Sequence, residues 1–121
     1  MQRVDISLQL NRLTKSHILK AKSLNFAFQK INHKIHTPFF TFLIAENKYP
    51  NPRVGVIIAK KNVKKATSRN LCRRIIKEYF RTHLACFEGK DLIVLANKNT
   101  KHATREQLWL SIEKFSQQYD T

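Results

Sequence analysis

The amino-acid sequence predicts an α+β fold, an α/β sandwich with the element order helix–strands–helix–strand–helix around a central sheet. Three apolar runs rich in β-branched and aromatic residues predict the strands. Three segments with apolar residues at positions i, i+3 and i+4 predict the helices. The chain has 121 residues with only two glycines and three prolines, so we expect a single domain over residues 1–121.

The first helix is predicted from about His17 to Ile31, with Ser16 as its N-cap. The segment His36-Thr37-Pro38 then breaks the helical pattern. The apolar face of this helix consists of Leu24, Ala27, Phe28 and Ile31.

Two strands are predicted next, from Phe39 to Glu46 (FFTFLIAE) and from Arg53 to Ala59 (RVGVIIA), with a proline-containing turn over residues 47–52 between them. The second of these runs is too apolar to be exposed on both faces, so we expect it to be buried in the sheet. A third strand, Asp91–Ala96, follows the turn at Glu88-Gly89-Lys90. After a loop over residues 97–103, Thr104 is predicted to cap the last helix, which runs to about Tyr119.

The central helix is predicted from Ala66 or Thr67 to His83, after a basic connection from Lys60 to Ser68. At 100° per residue its side chains separate into two faces. The apolar face carries Cys72, Ile75, Ile76, Tyr79 and Phe80, and the opposite face carries Arg73, Arg74, Lys77 and Arg81.

The charge balance points to a polyanionic partner. Lysine and arginine total 23 against 8 acidic residues, which gives a net charge of +15. The segment from Arg53 to Arg81 holds ten basic residues and one acid, Glu78, whereas the five basic and five acidic residues after Arg81 cancel. Nucleic acid is the favoured partner, because phosphate neutralisation releases counterions. An anionic membrane is the rival, but it calls for an apolar anchor or a strongly amphipathic terminal helix.

Features that the sequence lacks predict where the protein is located and whether its own side chains carry out catalysis. No apolar run reaches the roughly 20 residues of a membrane span, and the N-terminus has no secretory signal, so we expect a cytoplasmic protein. Cys72 and Cys86 are too few for a structural zinc site and are expected to be reduced. We predict no catalytic residue, no metal ligand and no small-molecule substrate. Glu78 is expected to pair with Arg74 rather than act as an acid or base.

The stretch RVGVIIAKKNVKKATSRNLCRRIIKEYFR resembles the core of the bacterial ribonuclease P protein family. That family carries a strand, a K-K-x-x-x-K-A segment, and a helix that reads R-N-R-x-K-R-x-x-R-E. The third position of R-N-R is Leu71 here, so one of the family's arginines is missing. Weaker similarity covers nearly the whole chain, including the closing helix.

The resemblance implies a function and a fold. In this family the RNA subunit of ribonuclease P carries the catalytic centre and holds Mg²⁺, while the protein binds that RNA and the 5′ leader of precursor tRNA. It also implies an uncommon left-handed β-α-β crossover. The implied RNA-binding residues are Lys60, Lys61, Lys64, Lys65, Arg69, Asn70, Arg73, Arg74, Lys77 and Arg81, and the implied leader cleft contains Leu24, Phe28, Phe40 and Phe42.

Each assignment has a simpler alternative. The basic face could be a solvated helix surface, the lysines a mobile loop, Asn70 a helix cap, and the aromatic residues part of the core. At the level of function, the alternatives are an RNA-binding protein of ribosomal type and a nuclease that acts alone. The second alternative is disfavoured because the few carboxylates are scattered along the chain.

Overall fold

The computed structural model describes residues 17–19, 24, 27–47 and 51–120. Four strands and two long helices are defined in this part of the chain, together with short 3₁₀ segments at Leu84–Phe87 and Lys98–His102. The strands and helices are β1 (Ile31–His36), β2 (Phe40–Glu46), β3 (Arg53–Ile57), α1 (Ala66–Thr82), β4 (Lys90–Ala96) and α2 (Arg105–Asp120).

The four strands form one mixed sheet in the order β1-β2-β4-β3. β2 pairs antiparallel with both β1 and β4, and β3 pairs parallel with β4. Because β3 and β4 are adjacent and parallel, the chain must cross over between them, and α1 lies in that crossover. The predicted α+β class is confirmed, while the left hand of the crossover and the single domain over residues 1–121 stay predictions.

The two central strands, β2 and β4, are buried on both faces of the sheet. On one face α1 and α2 pack against β2 and β4, and the ring of Phe42 stacks on that of Phe115 with their centroids 4.0 Å apart. On the other face Leu19 and Ala27, which precede β1, pack against Leu43 and Ile93. β2 and β4 therefore read as nearly continuous apolar runs rather than as alternating ones, whereas the edge strand β1 is mostly exposed.

Strand β1 is not predicted by the sequence pattern, because the predicted first helix extends to Ile31 and residues 32–35, before the break at His36-Thr37-Pro38, are assigned to no element. β1 pairs with β2 in a hairpin, and the burial of Ile35 in the main core stabilises it. The hydroxyl of Thr37 donates to the carbonyl of Phe40 at 3.0 Å across the connecting turn. Cross-strand pairing has overridden the helical spacing of this segment.

The predicted first helix is confirmed only in its second half. Leu24 and residues 27–29 are helical, but the chain pairs with β3 at Ile18, and the amide of Leu19 donates to the carbonyl of Val54 at 2.9 Å. The helix therefore starts after Leu19 rather than at His17, and Ser16, the predicted cap, lies outside the described residues.

Glycine at position 55 lets the first helical segment lie close to the sheet. A Cβ atom at Gly55 would stand 3.1 Å from Cδ1 of Leu24 and 3.3 Å from Cβ of Leu19. A larger residue would push these side chains outward. The position of the first helical segment on β3 thus depends on this missing side chain.

Candidate RNA interface

Helix α1 presents its cations away from the core, as predicted. Cys72, Ile76 and Phe80 are buried under the helix, while Arg74 is exposed and Arg73 and Lys77 are half-buried. These cations border an open groove of about 780 Å³. The groove is lined by Asn70, Leu71, Arg73, Arg74, Ile75, Lys77, Glu78, Arg81 and Arg105.

Two features set the electrostatics of this helix. Glu78 forms an ion pair with Arg81, with Oε1 and Nη2 3.8 Å apart, so the predicted pairing with Arg74 is wrong. The i, i+3 spacing brings Arg81 to the same edge of α1 as Glu78. On the buried side, desolvation raises the pKa of the Cys72 thiol, and the nearby Arg73 guanidinium opposes that rise only in part.

Arg69 has a structural role that the sequence analysis did not foresee. Its Nη1 donates to the carbonyl of Val63 at 3.0 Å and to that of Lys64 at 2.8 Å. Its own amide donates to the carbonyl of Lys65 at 3.1 Å, so this N–H is not available to an anion. Arg69 therefore holds the basic connection against the start of α1.

Asn70 does not cap the helix. Its neighbour on the next turn, Arg73, donates to the Asn70 amide oxygen at 3.4 Å, and the side chain is exposed on the groove. The residue at the cap position is Lys65, which makes no side-chain cap hydrogen bond. The structural alternative for Asn70 is thus wrong, and Asn70 is left as a polar group on the cationic face.

The basic connection from Lys60 to Ser68, called the lysine-rich connection below, lies beside cations from a distant part of the chain. Asn62 donates to the carbonyl of Ala96 at 3.3 Å, which brings this connection to the end of β4. Two depressions of about 210 and 550 Å³ lie between the connection and the 3₁₀ segment that follows β4. Their cationic or titratable residues are Lys61, Lys64, Lys65, Lys98, Lys101 and His102, whereas Lys60 is exposed outside them.

The predicted leader cleft divides between the two faces of the sheet. Phe40 and Phe42 are 0% exposed in the core under α1 and α2, so their assignment to a leader cleft is wrong. Leu24 and Phe28 precede β1, where Leu24 packs on the opposite face and Phe28 is 40% exposed. Because side chains alternate along a strand, Phe40 and Phe42 cannot share the face that Leu43 presents to Leu24.

The strand residues on the Leu24 face are ones that the sequence analysis did not select. Thr41, Ile57 and Leu95 are half-buried, and Thr41 and Leu95 are partners in the β2–β4 register. The hydroxyl of Thr41 also lies 3.0 Å from Nδ1 of His36. The available signal was the alternation of Thr41 with Phe40 and Phe42, but apolar residues on both faces of β2 concealed which face was the more open.

No group of three or more His, Cys, Asp or Glu side chains in residues 17–19, 24, 27–47 and 51–120 could hold a metal ion. In the same residues, no helix has both the length and the hydropathy needed to cross a bilayer.

Comparison with known proteins identifies the family. The family model described as Ribonuclease P matches residues 13–120. The chain belongs to the Ribonuclease P family. Among its relatives, the ribonuclease P protein component of Proteus mirabilis strain HI4320 is 38% identical over 91 residues, covering 75% of this chain and 76% of the relative. That of Pseudoalteromonas atlantica is 33% identical over 108 residues, covering 89% and 84%.

Solved structures of the Ribonuclease P family share this fold. The ribonuclease P protein of Staphylococcus aureus, solved at 2.0 Å, superposes with a TM-score of 0.73 at 28% identity, covering 83% of this chain and 92% of that one. The protein from Thermotoga maritima, with a TM-score of 0.66 at 20% identity over 80% and 92% of the two chains, has the same fold. As a Ribonuclease P family member, the chain is an accessory subunit of the endoribonuclease ribonuclease P, supporting tRNA 5′ processing with the RNA subunit.

Proposed function

We propose that the chain binds the catalytic RNA of ribonuclease P through the groove beside α1 and the lysine-rich connection, and contacts the 5′ leader of precursor tRNA through its first helical segment. The observation that carries this proposal is the groove itself. Of the nine described residues that line it, five are cations and one, Glu78, is an acid. A groove of this composition attracts phosphate oxygens.

The alternative of an ordinary solvated helix face is disfavoured by how its charges are arranged. Solvated faces commonly mix both signs, since i, i+4 pairs of opposite charge stabilise a helix. In α1 the cations Arg73, Arg74 and Lys77 follow one another with Glu78 as the only acid of the helix, and Glu78 is directed to Arg81. Arg73, Arg74 and Lys77 therefore repel one another, and an RNA backbone would relieve that repulsion.

The leader contact is assigned to Phe28 because this aromatic ring is exposed. Phe28 and Leu110 are the large apolar side chains that are exposed among the described residues. An exposed ring costs hydration free energy, whereas the unpaired bases of a single-stranded leader could stack on it. Leu24 packs against the smaller core cluster, which includes Leu43 and Ile93 on the face of the sheet opposite α1 and α2. It thereby supports the helical segment that presents Phe28.

Magnesium belongs to the RNA side of this proposal. The protein contributes cations that neutralise RNA phosphates, which reduces the repulsion between RNA and substrate and lowers the Mg²⁺ concentration needed for cleavage. Cleavage itself is carried out at the RNA centre. The cytoplasm, where precursor tRNA is processed in bacteria, is part of the same proposal.

A reconstitution experiment tests the proposal. The protein is added to a bacterial ribonuclease P RNA and precursor tRNA at low Mg²⁺, with protein alone and RNA alone as controls. We expect leader removal to be stimulated only in the mixture. Binding to ribosomal RNA without stimulated cleavage would support a ribosomal type of function instead, and cleavage by the protein alone would contradict the accessory role.

Substrates of two lengths separate the leader contact from the RNA contact. If the first helical segment binds the leader, the protein should favour precursor tRNA with a leader of several nucleotides over a substrate with a leader of one. Equal stimulation of both substrates would contradict the leader contact while leaving the interaction with the catalytic RNA intact.

A further inference from the structure

The groove beside α1 has a second wall that comes from α2. Arg105 is the first residue of α2 and lines the same groove as Arg73 and Lys77. The cap of α2 sets this position, because Thr104 and Gln107 form a reciprocal pair. The Thr104 amide donates to Oε1 of Gln107 at 2.9 Å, and the Gln107 amide donates to Oγ1 of Thr104 at 3.2 Å. This capping box, which confirms Thr104 as the cap, holds Arg105 at the edge of the groove.

The fold alone does not account for an arginine at position 105. The side chain is exposed and makes no hydrogen bond or ion pair with another residue in the described part of the chain. A cation in the first turn of a helix also opposes the helix dipole, so this placement does not stabilise α2. A negatively charged group bound in the groove would give Arg105 a partner.

Leu71 faces the same groove from α1. It is half-buried and packs against the main core cluster, so this position contributes apolar packing rather than charge. Leu71 stands at the third position of the R-N-R triplet, where a cation of the pattern is lost, whereas the exchanges at Arg73 and Lys77 keep the positive charge. The groove therefore has an apolar residue on one wall and, on the other, an arginine whose side chain has no partner among the described residues.

We infer that Arg105 binds an RNA phosphate in the groove that it shares with α1, and that it supplies from α2 the cation that Leu71 does not supply from α1. This inference rests on the proposed RNA-binding function. A guanidinium at position 71 would share the groove with Arg105 and the α1 cations. An arginine on either wall could then bind the same phosphate, so two arginines together would increase RNA affinity little over one.

Salt-dependent binding of the full-length protein to ribonuclease P RNA tests the inference. For Arg105→Ala we expect affinity to fall roughly threefold to tenfold at low salt, and the slope of log K against log salt to become shallower by about one. Arg105→Lys should keep most of the slope. Lys114→Ala is the matched control, since it removes one charge from an exposed position of α2 that lies outside the groove. It should leave the slope unchanged.

A rescue experiment separates a shared phosphate from a general charge effect. Leu71→Arg should restore the slope in the Arg105→Ala background and add little to the wild-type protein, which gives a non-additive cycle. Thermal unfolding checks that the Leu71→Arg protein is folded. If it is not, the comparison of Arg105→Ala with Lys114→Ala still decides whether Arg105 contacts a phosphate.

The possible failures are distinguishable. If Arg105→Ala leaves the slope as steep as Lys114→Ala does, while Arg73→Ala with Lys77→Ala makes it shallower, only the assignment of Arg105 is overturned. If neither set of substitutions changes the slope, the proposed RNA-binding groove fails as a whole.

Discussion

The guanidinium of Arg53 on β3 donates two hydrogen bonds to the carboxylate of Asp91 on β4, from Nε to Oδ1 and from Nη2 to Oδ2, each 2.8 Å long. The Asp91 side chain is 1% exposed, and the amide of Asn47 donates to it as well, at 2.7 Å. This bidentate pair lies at the first residue pair of the parallel β3–β4 register. It couples the two strands that the α1 crossover connects.

Removal of the carboxylate of Asp91 should destabilise the fold. Asp91→Ala leaves the largely buried Arg53 guanidinium without this partner, and we expect a loss of about 3 kcal/mol in the free energy of unfolding. Urea denaturation measures it. The double variant Arg53→Met with Asp91→Leu should lose much less, because it leaves neither charge alone. A loss of less than about 1 kcal/mol for Asp91→Ala would show that water or neighbouring groups replace the pair.

The cations of α1 should determine the salt dependence of RNA binding. Arg73→Ala with Lys77→Ala removes two of the proposed phosphate contacts, so the slope of log K against log salt should become shallower by about two. Binding to ribonuclease P RNA is measured over a series of salt concentrations. Lys90→Ala with Lys114→Ala removes the same charge outside the groove and serves as the control. An equal change in both double variants would mean that net charge, not this groove, drives binding.

Arg69 should act on stability as well as on RNA binding. Arg69→Ala removes the hydrogen bonds to the carbonyls of Val63 and Lys64, and we expect a loss of about 1–2 kcal/mol in the free energy of unfolding. Amide hydrogen exchange should become faster in the connection from Lys60 to Lys65. Arg74→Ala, which changes an exposed cation of the same helix, should leave the free energy of unfolding and the rate of amide hydrogen exchange in this connection nearly unchanged. Identical behaviour of the two variants would contradict the anchoring role of Arg69.

Truncation of a buried aromatic residue should lower stability, whereas truncation of the exposed Phe28 should weaken substrate binding. Phe42→Ala removes a fully buried ring stacked on Phe115 and should lower the free energy of unfolding by about 3–5 kcal/mol. Phe28→Ala removes an exposed ring and should change stability little while weakening binding of leader-containing precursor tRNA. Denaturation and substrate binding are measured side by side. If Phe28→Ala binds substrates with and without a leader as the wild type does, the leader contact is not at Phe28.

The two cysteines should differ in reactivity. Cys86 is exposed and should react quickly with a thiol reagent in the native protein, whereas Cys72 is buried and should react only on unfolding. Burial raises the pKa of the Cys72 thiol in the folded state, so the unfolded chain loses this proton at lower pH. The contribution of Cys72 to stability is therefore complete below the pKa of the unfolded thiol and decreases as the pH rises through it.

Alkaline unfolding experiments check the sign of that effect. The loss of stability above the thiol pKa of the unfolded chain should be smaller in Cys72→Ala than in the wild type, even though the variant is less stable at neutral pH. Cys86→Ala, which removes the exposed thiol and keeps Cys72, serves as the control. A Cys72→Ala protein with an unaltered alkaline limb would contradict the assignment.

Much of α1 could be predicted from the sequence because its determinants are local. The spacing of Cys72, Ile76 and Phe80 defines a buried face at 3.6 residues per turn, and the opposite face is then fixed by geometry. Strand β1 could not be predicted in the same way. Its pairing depends on contact with β2, and the helical spacing before it extended misleadingly to Ile31.

Which face of the sheet each strand side chain occupies could not be predicted from the sequence, for a different reason. A strand that is buried on both faces carries apolar residues throughout, so its pattern does not say which face packs against the helices. The leader cleft that the resemblance implies includes Phe40 and Phe42, and the strand pattern does not contradict this, although both residues lie in the main core with Phe115. The neighbouring residues Thr41 and Leu43 lie on the other face.

By itself, the sequence determined that this protein has a basic helix with one apolar face, buried strands beside it, and a resemblance to ribonuclease P proteins that comparison confirmed. Only the tertiary structure decided which distant cations join that helix. After Arg81 the charges cancel along the chain, yet Lys98 and Lys101 lie beside the lysine-rich connection and Arg105 lies in the groove of α1. Net charge is a sum over sequence, whereas a phosphate responds to charges within about a Debye length in space. Because β4 runs parallel to β3, the segments that follow the two strands lie at the same edge of the sheet, which brings Lys98 and Lys101 beside the lysine-rich connection.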